Sequence, residues 1–181
     1  MNLFIASDIH GSSFYCQKMM ERINDEGIDR ILLLGDLLYH GPRNDLPKDY
    51  DPKKCIEYLN SIKDRISCVR GNCDAEVDQM VLDFPVMADY IMVGLDKTVI
   101  YASHGHHYNP ASPFKGVCSY ILLNGHTHIP AREEYKDFVY LNPGSVSIPK
   151  NNSCHSYMIY RDGTFIWKDL LNGKEYDSYK I

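Results

Sequence analysis

Five short apolar runs, each ending abruptly at a polar residue, constrain the fold of this chain more than any other feature. They are LFIAS before Asp8, ILLL before Gly35-Asp36, ISCV before Arg70-Gly71-Asn72, VIYAS before His104, and YILL before Asn124-Gly125-His126. A continuous apolar run of this length has no polar face to leave in water, so each reads as a strand buried on both sides. Between the first two runs, Tyr15, Met19 and Ile23 repeat at helical spacing, with Ser12 or Ser13 available as N-cap and Gly27 just past the end, which predicts a helix. Asp51-Pro52 opens a second helix, with Ile56, Leu59 and Ile62 expected on its buried stripe.

From about residue 81 the pattern shifts to alternation of apolar and polar positions, through VMADYIMVG, DFVYLN and SYMIYRDGTFIWKDLL, with Asp162-Gly163 as a hairpin turn. Strand-helix-strand units followed by strand-rich sequence predict an α/β or α+β protein of two packed sheets with helices outside. The last ten residues, from Asn172, are polar and are expected to fray.

The 181 residues suit one domain, 1–181, that buries roughly 70% of its unfolded surface. Hydrophobic residues at 44% and charged residues at 24% are ordinary for a globular chain without biased segments. A net charge of −5 disfavours a nucleic-acid partner, since neutralising phosphates needs a surplus of Lys and Arg. The opening MNLFIASDIH reads as neither signal peptide nor membrane span, and the expected location is cytoplasmic. Six cysteines without a CxxC pair read as reduced thiols, mostly buried.

Asp8 and His10 stand two residues apart, as do His126 and His128, so at the end of an extended strand each pair points one way. Asp36, Asn72 and His104 each sit at or just past the end of a different apolar run, where α/β sheets gather their ligand sites. One such residue reads as a turn or surface residue. Five such junctions, most beside a glycine, predict a convergent cluster of oxygen and imidazole ligands. The set exceeds one tetrahedral zinc and lacks a thiolate pair, so two metals sharing a ligand fit better than a structural zinc.

The segments DIHG, GDLL, RGNCD, SHGH and GHTH, in this order, resemble the five signature blocks of the calcineurin-like metallophosphoesterases. HGPRNDLP after GDLLY, and LNPGSVSIPK, resemble the small bacterial phosphodiesterases of the YfcE type, extending the likeness to about residue 150. This resemblance implies a four-layer αββα sandwich of two mixed β-sheets flanked by helices, with a binuclear metal site. It implies one metal on Asp8, His10, Asp36 and His128, and a second on Asp36, Asn72, His104 and His126, with Asp36 as the bridge. It points to Mn2+, with Zn2+, Fe2+ or Ni2+ as alternatives, because affinity alone does not choose among such metals. The expected activity is hydrolysis of a small phosphodiester by in-line attack of a hydroxide shared by the two metals. The resemblance also implies a homodimer or higher oligomer. A non-catalytic scaffold that binds protein partners is the alternative, because the retromer subunit of similar length shares this fold without the intact ligand pattern.

Asn72 would bind a hard cation through its amide oxygen without adding charge beside a phosphate. Much of the wider superfamily carries histidine at the position of Cys73, so Cys73 and His106 become the candidate proton donors, each weighed against a packing role. His40 and Arg43 are candidate substrate contacts, although GPRND is also good turn chemistry. Asp74 reads as the cap of a following helix, with orientation of the leaving-group side as the alternative.

Overall fold

The computed structural model describes residues 2–28, 30–95 and 97–181. Of the single domain expected over 1–181, Met1, Asp29 and Asp96 lie outside the described residues. All five apolar runs are strands: β1 (Leu3–Ala6), β2 (Ile31–Leu33), β3 (Ile66–Cys68), β5 (Val99–Ser103) and β6 (Tyr120–Leu123). Helix α1 (Ser13–Glu26) joins β1 to β2. Ser12 accepts the Tyr15 amide at its start, and Gly27 closes its end in the left-handed conformation. Helix α2 (Pro52–Asn60) joins β2 to β3 and is capped by Asp51. Leu59 is buried as expected, Ile56 and Ile62, the latter just past the helix end, pack partly buried against the same core, and Cys55 is the other fully buried residue of the helix.

The alternating back half adds β4 (Tyr90–Gly94), β7 (Pro130–Glu134), β8 (Phe138–Pro143), β9 (Ser156–Arg161), β10 (Thr164–Asp169) and β11 (Glu175–Lys180). The strands form two mixed sheets, one ordered β11-β10-β9-β1-β2-β3 and the other β4-β5-β6-β8-β7. β1, β2 and β3 run parallel, as do β5, β6 and β8. Leu3 and Ile5 on one face of β1 pack between the sheets with Ile100, Ile121, Met158 and Trp167. Phe4 and Ala6 on the other face pack under α1 and α2 with Met19, Ile23 and Leu59. The outer face of the five-stranded sheet is covered by Phe114 and Val117 of the 104–119 segment, set on Tyr120, Leu122, Phe138 and Tyr140. Among the described residues no helix is long and apolar enough to cross a membrane. All six cysteines are free thiols, and Cys16, Cys55 and Cys68 are buried.

The C-terminal segment does not fray. β11 pairs with β10 over Thr164↔Lys180 to Lys168↔Glu175, and Tyr179 and Ile181 pack on the core between the sheets. Its outer face is polar because β11 is an edge strand with one side in water. Truncation after Gly173 is therefore expected to lower the unfolding free energy by roughly 2 kcal/mol or more, the scale of losing the burial of one or two large side chains. Urea denaturation checks this, whereas a frayed tail would leave the midpoint unchanged.

Candidate metal centre

Every candidate ligand follows a strand. Asp8 and His10 lie past β1, Asp36 past β2, Asn72 past β3, His104 past β5, and His126 and His128 past β6. These are the C-terminal ends of the parallel strands of both sheets, so the two halves of the sandwich deliver ligands to one rim. The chain turns sharply there. Asp8, His10, Asp36, His126 and His128 all have φ between 48° and 66°, a left-handed conformation that non-glycine residues seldom adopt outside functional turns. Gly71 and Gly125 permit the approach. A methyl group at Gly71 would run into the Asp36 carboxylate, and one at Gly125 into Ser7 and Asp8.

The side chains converge in two groups that share Asp36. In the first, His10 Nε2 lies 3.2 Å from His128 Nε2, and Asp8 Oδ1 lies 3.6 Å from His10 and 3.2 Å from His128. In the second, His104 Nε2 lies 3.1 Å from Asn72 Oδ1 and 3.2 Å from His126 Nδ1. Asp36 Oδ2 stands 3.7 Å from His10 Nε2 and 3.4 Å from His104 Nε2. The outer nitrogens of three imidazoles donate to backbone carbonyls: His10 Nδ1 to Tyr39 O, His104 Nδ1 to Leu34 O and His128 Nδ1 to Ile148 O. That arrangement holds each ring with its Nε2 lone pair facing inward, as metal-binding histidines are held.

The donor set fits divalent cations. Two imidazole nitrogens facing each other at 3.2 Å repel unless a positive charge lies between them, and Asp8 Oδ1 is buried without a hydrogen-bond partner. Burial raises the Asp8 carboxyl, but His10 and His128 outweigh it and hold the group well below the usual carboxylate range. Burial likewise lowers His104, yet Asp36 and Asp8 push it up to about 9. The centre thus draws positive charge into a buried pocket.

The backing of the centre comes from residues whose part is not evident in their spacing. Asp74 is buried and does not cap α3 (Glu76–Gln79), whose N-cap is Ala75. It accepts the amides of Asp36 at 2.8 Å, Leu37 at 2.9 Å and Gly71 at 2.7 Å, tying the β2 and β3 turns together. Burial pushes its carboxyl up against those three hydrogen bonds. Ser145 and Ser147 hydroxyls donate to Asp8 O, and Asn142 Nδ2 donates to Gly125 O.

Asp36, Asn72, His126 and His128 line a polar cavity of about 350 Å3 together with Arg43, Asn44, Cys73 and Lys150. Arg43, a candidate substrate contact, lines this cavity, and so does Lys150, a cation that sequence reasoning passed over. Its signal is its place in the turn after the NPGS segment, where its amide donates to His128 O. The loop carrying Arg43 is pinned by Ser12 Oγ on Lys48 O and Ser13 Oγ on Asp49 O. His40 is not among the residues lining that cavity; its ring packs edge-on against Tyr39 and Tyr50. Cys73 Sγ lies near His10 and Asp36, and Asn72 Nδ2 donates to it at 3.2 Å. Burial first, then Asp36, pushes this thiol up to about 12. His106 stands beyond His104 and His126, with ring centroids 5.4 Å and 6.2 Å away, and burial and the neighbouring imidazoles push it down to about 4.

The family model for the calcineurin-like phosphoesterase superfamily domain matches residues 1–162. This chain belongs to that superfamily. A phosphoesterase of this family works with divalent metal ions, and the cluster around Asp36 offers candidate ligands for them. Phosphodiesterase YfcE of Escherichia coli strain K12 is 43% identical over 157 residues, covering 87% of this chain and 85% of the relative. The solved structure of the phosphoesterase YfcE from E. coli matches with a TM-score of 0.96 at 39% identity, covering 100% of both chains. The Vps29 structure from Entamoeba histolytica, at 20% identity and a TM-score of 0.67 over 100% of this chain and 99% of that one, shares the fold.

Because an amide nitrogen cannot accept a hydrogen bond, Asp74→Asn leaves at least one of the three amides facing a donor. The expected cost is about 1–3 kcal/mol of stability, with weaker metal uptake through a displaced Asp36. Urea denaturation and calorimetric titration of Mn2+ into metal-free protein check both effects.

Proposed function

We propose that this phosphoesterase is a metal-dependent phosphodiesterase that hydrolyses a small phosphodiester by in-line displacement with two divalent cations, assigned as Mn2+. The observation that supports this is Asp36 Oδ2, which faces His10 Nε2 at 3.7 Å and His104 Nε2 at 3.4 Å, so that one carboxylate serves both halves of the cluster. One cation would take Asp8, His10, Asp36 and His128, and the other Asp36, Asn72, His104 and His126. When bound, the cation pair supplies Lewis acidity, polarising the phosphoryl oxygens and acidifying water. The likeness to Phosphodiesterase YfcE supports a diester as substrate.

The chain's own residues do the rest. Carbonyl contacts from Tyr39, Leu34 and Ile148 keep His10, His104 and His128 oriented, so no reorganisation is needed when the substrate arrives. Asn72 contributes an oxygen without negative charge, which limits repulsion of the phosphate. Arg43 and Lys150 flank the same cavity and bind the anionic phosphoryl group, Arg43 through a planar fork that matches two oxygens. Cys73 beside the phosphoryl cavity and His106 beside His126 are the two candidate donors to the leaving oxygen, each set against a packing role, and His40 supports the loop that carries Arg43. A scaffold reading draws only on the fold shared with Vps29, and metal-dependent turnover separates the two.

The deciding experiment reloads metal-free protein with single metals and assays phosphate mono- and diesters. Chelation is expected to abolish diester turnover while the far-UV circular dichroism persists, since a core of this size does not depend on metal. Loss of the spectrum would mark the centre as structural.

Asp36→Asn is expected to lower kcat/KM by more than about 100-fold and to weaken uptake of both metal equivalents, beyond what removal of an orienting group costs. His128→Ala is expected to weaken one. Full retention of one equivalent in Asp36→Asn with near-native turnover would overturn the bridging role.

If Cys73 governs protonation of the leaving oxygen, Cys73→His is expected to raise activity on poor leaving groups relative to aryl diesters, within the 10² to 10⁴-fold or so typical of general acid catalysis. Rate against leaving-group pKa for the native protein, Cys73→His and Cys73→Ala checks this. A common slope would assign Cys73 to packing.

A further inference from the structure

Beyond His126 the cleft opens into a second cavity of about 510 Å3, with a different chemistry from the one over Asp36. Pro110 and Ala111 form one wall, and Ile129, Ala131 and Tyr140 the other, with Tyr135 at its edge. His126 lines both cavities, so they meet at the metal centre. The first carries Arg43 and Lys150. The second has neither Lys nor Arg in its lining, and its one carboxylate, Glu133, is engaged by the Tyr135 hydroxyl at 2.6 Å. Asn109, also on its wall, uses its amide within its own loop: Nδ2 donates to Gly105 O, and Oδ1 accepts from the Ala111 and Ser112 amides.

An anionic arm entering here would meet no Lys or Arg and would face Glu133, the imidazoles of His106 and His126 standing only at the end next to the metal centre, whereas a flat uncharged group would exchange water for aromatic and aliphatic contact. The wall is also built before any ligand arrives. Tyr108 stacks on Phe114 at 4.1 Å, and Phe114 sits against Tyr90, Tyr101 and Tyr120, fixing the 104–119 segment to the sheet beneath. The volume lies within the range of small-molecule sites, which combine apolar walls with a few polar groups.

We propose that this cavity seats one ester arm of the substrate, and that this arm is an uncharged aromatic or heteroaromatic ring. The substrate is then asymmetric, with the ring past His126 and the phosphoryl group and its more polar arm towards Arg43 and Lys150. This inference rests on the phosphodiesterase reading and supplies the substrate class that the metal centre alone does not select.

Two ligands that differ only in the ring provide the test: phenylphosphonate and methylphosphonate, titrated calorimetrically into Mn2+-loaded protein. The expected result is tighter binding of phenylphosphonate by about tenfold or more in the native protein, the scale of burying one ring. Ala131→Phe fills the cavity and is expected to reduce that preference to within about twofold, while methylphosphonate keeps its native affinity. Tyr135→Ala, at the exposed edge, guards against misfolding of the first variant and is expected to reduce the preference about threefold. Equal affinity of the two phosphonates in the native protein, or an unchanged preference in both folded variants, would overturn the ring subsite. Diester hydrolysis is measured separately on the same loaded protein, so failure of the phosphodiesterase reading shows as absent turnover whatever the phosphonates do.

Discussion

The metal centre depends on one buried carboxylate that does not face it. Asp74 takes three backbone amides, those of Asp36, Leu37 and Gly71, and so fastens the turn after β2 to the turn after β3. Without that clasp the two turns would have to satisfy those buried amides elsewhere, and Asp36 would lose its position between His10 and His104. Gly71 completes the arrangement, since any side chain there would occupy the space of the Asp36 carboxylate.

The rim is therefore held under tension that the rest of the molecule resists. Five ligand residues sit in the left-handed region, each at a cost of the order of 1 kcal/mol, and four imidazoles face inward around two carboxylates. The opposing weight is the core on both faces of β1, together with Ser145 and Ser147 on the Asp8 carbonyl. Divalent cations held there would relieve the mutual repulsion of the imidazoles, which would link the strained geometry to its chemistry.

The strands and the convergence of the candidate ligands were legible for the same reason. A parallel strand buried on both faces writes an unbroken apolar run, and the polar residue that ends it marks the rim. The elements that escaped are those with a face in water. β7, sequence PAREE, has no apolar alternation, and the polar EYDSYK of β11 read as a tail because an edge strand needs apolar residues on one side only. Asp74 was misread because its role is set by backbone amides of two other turns, of which spacing along the chain carries no trace, and Lys150 was missed because its one signal is its place just after the NPGS segment.

The pairing of β1 between β2 and β9 also orders the events of synthesis. All seven candidate ligands have been made once His128 leaves the ribosome, yet β1 still lacks one neighbour, because Ile5 pairs with Met158. The serines on the Asp8 carbonyl, and Val146, whose amide donates to Ser7 O, are also still to come. A nascent chain of that length thus holds every donor atom and no formed centre. The centre is completed only after β9 has closed the sheet, which makes its assembly a late event in the maturation of this fold.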